Sequence, residues 1–164
     1  MIRVVVSDTN ILINLCYSDD PFLLGRIPQV QFVISVEVET EMRRGRGRRF
    51  ADVFSRLLNE GHLSVEEAAG LRAIEVYVRC RDEHRLDEGE SAAMALAASK
   101  SCYFATTDFR AFAAAKSELG GNWVVHLEDI LDFAIDSGVL SGEAAEKMRQ
   151  LMATRNGYRG WGRE

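Results

Sequence analysis

β-Branched Ile2, Val4, Val5 and Val6 dominate positions 2–7, the pattern of a strand buried on both faces as in a parallel sheet. Asp8 ends that run, and Ile11, Leu12 and Leu15 follow at helical spacing until Asp19-Asp20-Pro21 stops the helix. A second strand is expected over residues 31–35. A helix over 36–44 then carries Val38 and Met42 four apart, and Gly45 and Gly47 interrupt it. Phe50, Val53, Phe54, Leu57 and Leu58 form an amphipathic stripe closed by Gly61. Residues 62–65 read as a short strand, and Leu71, Ile74 and Val78 as a helix running to about Arg85. The alanine-rich stretch 88–100 is a strong helix former. A strand over 102–105, a helix over 109–119, a strand over 123–127 and two helices over 128–136 and 141–155 complete the pattern. The glycine-bearing tail, residues 156–164, is expected to be flexible, with Tyr158 and Trp161 as rings able to stack on bases.

Short strands alternating with helices predict an α/β fold, a three-layer α/β/α sandwich around a mainly parallel sheet. The 164 residues suit one domain over residues 1–155, of which 128–155 form a C-terminal helical part. Composition refines this. The three cysteines, Cys16, Cys80 and Cys102, have neither the number nor the spacing of a disulfide framework or a structural zinc site. They read as buried residues of a protein in a reducing compartment. No run approaches the roughly 18 apolar residues needed to span a bilayer, so a soluble cytoplasmic protein is expected, without a membrane partner. The net charge of −5 argues against coating nucleic acid by bulk positive charge, although all but three of the 20 cations (Lys100, Lys116 and Lys147) are arginine. Arginine suits bidentate phosphate contacts.

The acids are placed more informatively than they are counted. Asp8 follows the first strand and Asp108 follows the strand over 102–105, so in a parallel sheet both reach the edge where sites form. Glu41 lies in the helix after the second strand, and Glu90 opens the alanine-rich helix. Converging carboxylates repel one another unless a cation joins them, and an all-oxygen donor set suits Mg²⁺ or Mn²⁺. Each acid also has a plain structural explanation. Asp8 and Asp108 fit helix N-caps, Asp87 and Glu90 have the spacing of a capping box, and Glu41 suits a solvated ion pair.

Four segments together resemble the PIN-domain family, the nuclease fold of many toxins in VapBC-type toxin–antitoxin modules. They are Val6-Ser7-Asp8-Thr9-Asn10-Ile11-Leu12, Ile34-Ser35 with Glu41-Met42, Gly89-Glu90-Ser91-Ala92-Ala93-Met94-Ala95-Leu96-Ala97, and Ala105-Thr106-Thr107-Asp108-Phe109-Arg110-Ala111-Phe112. The likeness covers residues 2 to about 127. It implies a metal-dependent ribonuclease in which Asp8, Glu41, Glu90 and Asp108 hold Mg²⁺ or Mn²⁺, with Asp87 as the alternative third acid. It implies hydrolysis of RNA to a 3′-hydroxyl and a 5′-phosphate, an antitoxin protein as partner and a homodimer. Asn10 and Thr106 are expected to support the acids, and Thr9 to cap the first helix. A PIN fold that only binds RNA is the alternative. A phosphatase that uses a second aspartate two positions after the first is disfavoured, because Asn10 stands there.

The segment Arg43-Arg44-Gly45-Arg46-Gly47-Arg48-Arg49 begins just after Glu41 and is the candidate grip on RNA phosphates, with Arg110 beside Asp108 as a further candidate. A solvated charge run explains the same residues. His62, His84 and His126 show no ligand spacing and read as structural.

Overall fold

Residues 1–160 are described by the computed structural model. The N-terminal apolar run forms β1 (Ile2–Val6), and Asp8 caps α1 (Thr9–Tyr17). A single helical turn, α2 (Leu23–Arg26), precedes β2 (Val30–Ser35). The chain then runs through α3 (Val36–Arg44), α4 (Ala51–Asn59) and β3 (Leu63–Glu66). Two helices follow in succession, α5 (Leu71–Asp82) and α6 (Glu88–Lys100). After them come β4 (Tyr103–Thr106), α7 (Phe109–Leu119), β5 (Val124–His126), α8 (Leu127–Asp136) and α9 (Gly142–Asn156).

The strands form one five-stranded sheet in the order β3-β2-β1-β4-β5, and every pair is parallel. Strand alternation divides the core. Val4, Val6, Phe32, Ile34 and Leu63 face a layer built from α1 to α4 with α8 and α9. Val5, Val33 and Phe104 face α5, α6 and α7. The result is the expected α/β/α sandwich. The central strands are covered on both faces, which is why Val4-Val5-Val6 and Phe32-Val33-Ile34 are consecutively apolar rather than alternating.

Helix α6 is buried almost all round. Ala93, Ala95, Ala97 and Ala98 leave room for α5 on one side and the sheet on the other. The C-terminal helices are part of the sandwich. Met148 and Met152 enter the core beside Ile11 and Leu12, and Asn156 Nδ2 donates to Asn14 Oδ1 at 2.9 Å. Among the described residues no helix is long and apolar enough to cross a membrane.

Several local expectations are corrected. Trp123 lies in a tight turn and Leu127 already belongs to α8, so β5 is only three residues long. Tyr158, expected in a loose tail, is half-buried. Its hydroxyl donates to Glu128 Oε1 at 2.7 Å and its ring stacks over His126, so it is not a free base-stacking ring. Trp161 lies outside the described residues. His126 caps α8, while His84 faces Glu118 and His62 faces Glu60.

Candidate active site

Parallel pairing brings the ends of β2, β1 and β4 to one edge of the sheet. Val6 stands opposite Ala105, and the Ser7 amide extends that ladder to the Ala105 carbonyl. Asp8 and Asp108 therefore emerge from neighbouring strands. Each caps the helix that follows: Asp8 Oδ1 accepts from the Ile11 amide at 3.3 Å and Asp108 Oδ1 from the Ala111 amide at 2.9 Å.

Thr106, fully buried at the end of β4, joins the two acids. Its hydroxyl donates to Asp8 Oδ2 at 3.2 Å and accepts from the Asp108 amide at 3.0 Å. The Thr107 amide adds a longer contact to Asp8 Oδ2 at 3.4 Å. Burial pushes the Asp8 carboxyl above its ordinary value, and these donors from Thr107, Thr106 and Ile11 act against that rise.

Glu90 arrives from α6. It does close a capping box: its amide donates to Asp87 Oδ1 at 2.8 Å, and its Oε2 accepts from the Asp87 amide at 3.3 Å. That box also orients it inward. Glu90 is only 8% exposed, whereas Asp87 is on the surface. The Glu90 carboxyl is pushed up to about 7, by burial first, then by Asp87, and also by Asp108 and Asp8. Three acids from β1, α6 and β4 thus share one electrostatic neighbourhood.

Glu41 approaches through Thr9. The buried Thr9 hydroxyl donates to Glu41 Oε1 at 3.0 Å, while Asp8 is the residue that caps α1. The expected capping role of Thr9 is therefore replaced by one that ties Glu41 to the residue following Asp8. The sequence carries no signal for this, because the contact spans 32 positions. The Asn10 side chain makes a different contact: its Oδ1 accepts from Arg46 Nη2 at 2.8 Å.

The arginines differ among themselves. Arg43 is paired with Glu39 and lies over Phe54, and Arg49 donates to the Tyr17 hydroxyl and lies over Tyr17 and Phe50. Arg44, Arg48 and Arg110 are exposed and make no ion pair among the described residues.

Among the described residues, no group of three or more His, Cys, Asp or Glu side chains is arranged so as to hold a metal ion as placed. The donor set nevertheless fits one chemically. It is all oxygen, and Asp108 Oδ2, Glu90 Oε1 and Glu41 Oε2 accept no hydrogen bond among the described residues. The 660 Å³ cleft between α8 and α9, lined by Glu128, Asp132, Arg149 and Tyr158, contains none of the four acids.

Residues 4–156 match the model of a family described as DUF3368, PIN domain. That span extends the likeness through α8 and α9, beyond the motifs that carried it in the sequence. No curated protein and no solved structure matches the chain.

Proposed function

Because the chain belongs to the PIN-domain family, whose members are generally nucleases, we propose that it is a metal-dependent endoribonuclease centred on Asp8, Glu41, Glu90 and Asp108. The observation that carries this reading is that Asp8 and Asp108, at the ends of adjacent parallel strands, are joined through Thr106, and that Glu90 comes in from α6 with its carboxyl raised by burial and then by neighbouring charges that include the other two. A structural cap needs no such company. Mg²⁺ or Mn²⁺ bound by these carboxylates would polarise an RNA phosphodiester and lower the pKa of a bound water. The toxin role in a toxin–antitoxin pair, with an antitoxin partner, a homodimer and a cytoplasmic setting, belongs to the same reading.

The protein's own groups divide the work. Thr106 and Thr107 fix the direction of the Asp8 carboxylate, and the Thr106 acceptor holds the turn that presents Asp108. Asp87 orients Glu90 from outside and is a positioning residue, not the third ligand. Thr9 sets the rotamer of Glu41. Partners of this kind behind ligating carboxylates are worth roughly 10–100-fold in metal affinity or activity. Thr9→Val keeps the side-chain shape and removes the hydroxyl. It is expected to lower Mn²⁺-dependent cleavage by about that factor. An unchanged Mn²⁺ half-saturation and rate would remove Glu41 from the set.

The enzyme reading is tested by incubating a panel of labelled RNAs with Mg²⁺, Mn²⁺ or chelator. Cleavage that needs the ion and leaves a 3′-hydroxyl supports it. Stable RNA binding without cleavage under every condition would leave only an RNA-binding module. Arg44 and Arg48 are expected to contact phosphates away from the acids. The double change Arg44→Ala, Arg48→Ala should flatten the dependence of RNA affinity on salt by about 0.7 in log–log slope for each phosphate no longer neutralised. An unchanged slope would show that these two arginines are only solvated.

A further inference from the structure

The Arg46 guanidinium is treated differently from its neighbours. Arg43 faces a carboxylate and Arg49 faces aromatic rings, but Arg46 is tethered by a neutral amide oxygen, Asn10 Oδ1, at 2.8 Å. Asn10 lies in the first turn of α1, two residues after Asp8. The tether is built in from the loop. The Gly45 and Gly47 amides both donate to the Glu41 carbonyl, at 2.9 and 3.3 Å, so the loop closes onto a residue of the acid site itself.

Both glycines pack closely in that closure. A Cβ on Gly47 would stand 2.4 Å from Met42 Sδ and 2.7 Å from Met42 Cα, and one on Gly45 would stand 2.9 Å from Glu41 Cγ. At Gly47 the clash is with the Met42 backbone itself, so a side chain there would shift the loop that carries Arg46. The tight packing of Gly47 on Met42 thus fixes the loop from which exposed Arg46 reaches Asn10.

The choice of partner matters chemically. A carboxylate would neutralise the guanidinium and compete with phosphate for it. An amide oxygen occupies one N–H, sets the plane of the fork and leaves the positive charge and the other donors available. Among the described residues Arg46 forms no ion pair. A cation tethered two residues from Asp8, on the loop that follows Glu41, and not paired with a carboxylate suits an anion drawn to the acid site. The anion of an RNA strand is its phosphodiester.

We propose that Arg46 is the residue that grips the phosphodiester undergoing cleavage, with Asn10 as its positioning partner. The proposal rests on the nuclease reading above. It assigns to one arginine a contact with the reacting phosphate, distinct from the diffuse backbone contacts of Arg44 and Arg48. A planar fork can hold two non-bridging oxygens and oppose the charge that builds on them as the P–O bond breaks.

The test compares wild type with Arg46→Ala, Arg46→Lys and Asn10→Ala, with Lys147→Ala on α9 as a charge-matched control. Single-turnover cleavage in Mn²⁺ is measured against enzyme concentration, separating the maximal rate from half-saturation. Arg46→Ala is expected to lose about 10²-fold, chiefly in the maximal rate. Arg46→Lys restores part of the loss but not the wild-type rate, Asn10→Ala gives a smaller loss of the same kind, and Lys147→Ala changes nothing. A loss confined to half-saturation, or full rescue by Lys, overturns the assignment in favour of general electrostatics.

A second readout does not need cleavage. In the Asp8→Asn background, anisotropy of a fluorescein-labelled single-stranded RNA is compared with that of the same RNA carrying one neutral methylphosphonate linkage. Arg46 is expected to add affinity for the charged linkage that Arg46→Ala abolishes. If Arg46→Ala leaves this difference intact, the proposal fails even where wild type cleaves. If wild type cleaves nothing but the difference depends on Arg46, the nuclease reading fails and the phosphate contact stands.

Discussion

Asp8→Asn is expected to leave a folded protein whose Mn²⁺-dependent RNA cleavage falls by at least about 10³-fold, because charge stabilisation by a bound ion is worth several kcal/mol and each 1.36 kcal/mol is tenfold. The fold should tolerate the change for identifiable reasons. Asn is as good an N-cap as Asp, so the Ile11 amide keeps its acceptor. The new amide group replaces Oδ2, which accepts from the Thr106 hydroxyl and the Thr107 amide. The hydroxyl can rotate, but the Thr107 amide loses a partner. That cost, about 1 kcal/mol, is set against removal of a carboxylate that burial already disfavours. Thermal melting should therefore shift little while cleavage disappears. Near-wild-type cleavage by a well-folded Asp8→Asn protein would sink the acid-centred mechanism.

The legible part of this chain is the part governed by local pattern. β1 and β2 are visible because strands covered on both faces carry consecutive apolar residues, Val4-Val5-Val6 and Phe32-Val33-Ile34. α6 is visible because its alanines are both good helix formers and small enough for a crowded layer. The single turn α2 has no periodicity to detect, and β5 shrinks to three residues because His126 and Asp129 form a capping box that starts α8 early. The acids show the same division. That Asp8, Asp108 and Glu90 start helices follows from spacing. That Glu90 is buried facing Asp8 and Asp108, while Asp87 stays outside, depends on where α6 lies against β1 and β4. The Thr9–Glu41 and Arg46–Asn10 hydrogen bonds cross 32 and 36 positions and exist only once α1 and α3 are side by side.

Glu90→Gln should stabilise the metal-free protein at pH 8 while abolishing cleavage. The carboxyl is raised from an ordinary value of 4.5 to about 7 in the folded state, so folding favours its protonated form. Its favourable contribution is complete below about pH 4.5 and is lost as the pH rises through about 7. The metal-free wild type should accordingly melt at falling temperatures between about pH 5 and pH 8. Gln is neutral and nearly the same shape, and it serves the capping box as Glu does. The variant therefore avoids the loss. At pH 8 its Tm should exceed that of wild type by roughly 7–14 °C, from about 3.4 kcal/mol for a rise from 4.5 to about 7 and about 2–4 °C per kcal/mol for a chain of this size. At pH 5 the gap should shrink to about 1 kcal/mol or less, closing below about pH 4.5. Adding Mn²⁺ reverses the order at pH 8, because the ion removes the repulsion in wild type and finds one ligand fewer in the variant. Melting curves at pH 5 and pH 8, with chelator and with Mn²⁺, measure all of this. A variant that melts below wild type at pH 8 without metal, or one that Mn²⁺ stabilises as much as wild type, would show that Glu90 is a helix cap and nothing more. The combination of gained stability with lost cleavage is what separates a carboxyl buried, and then crowded by neighbouring acids, for binding an ion from acids that merely begin helices.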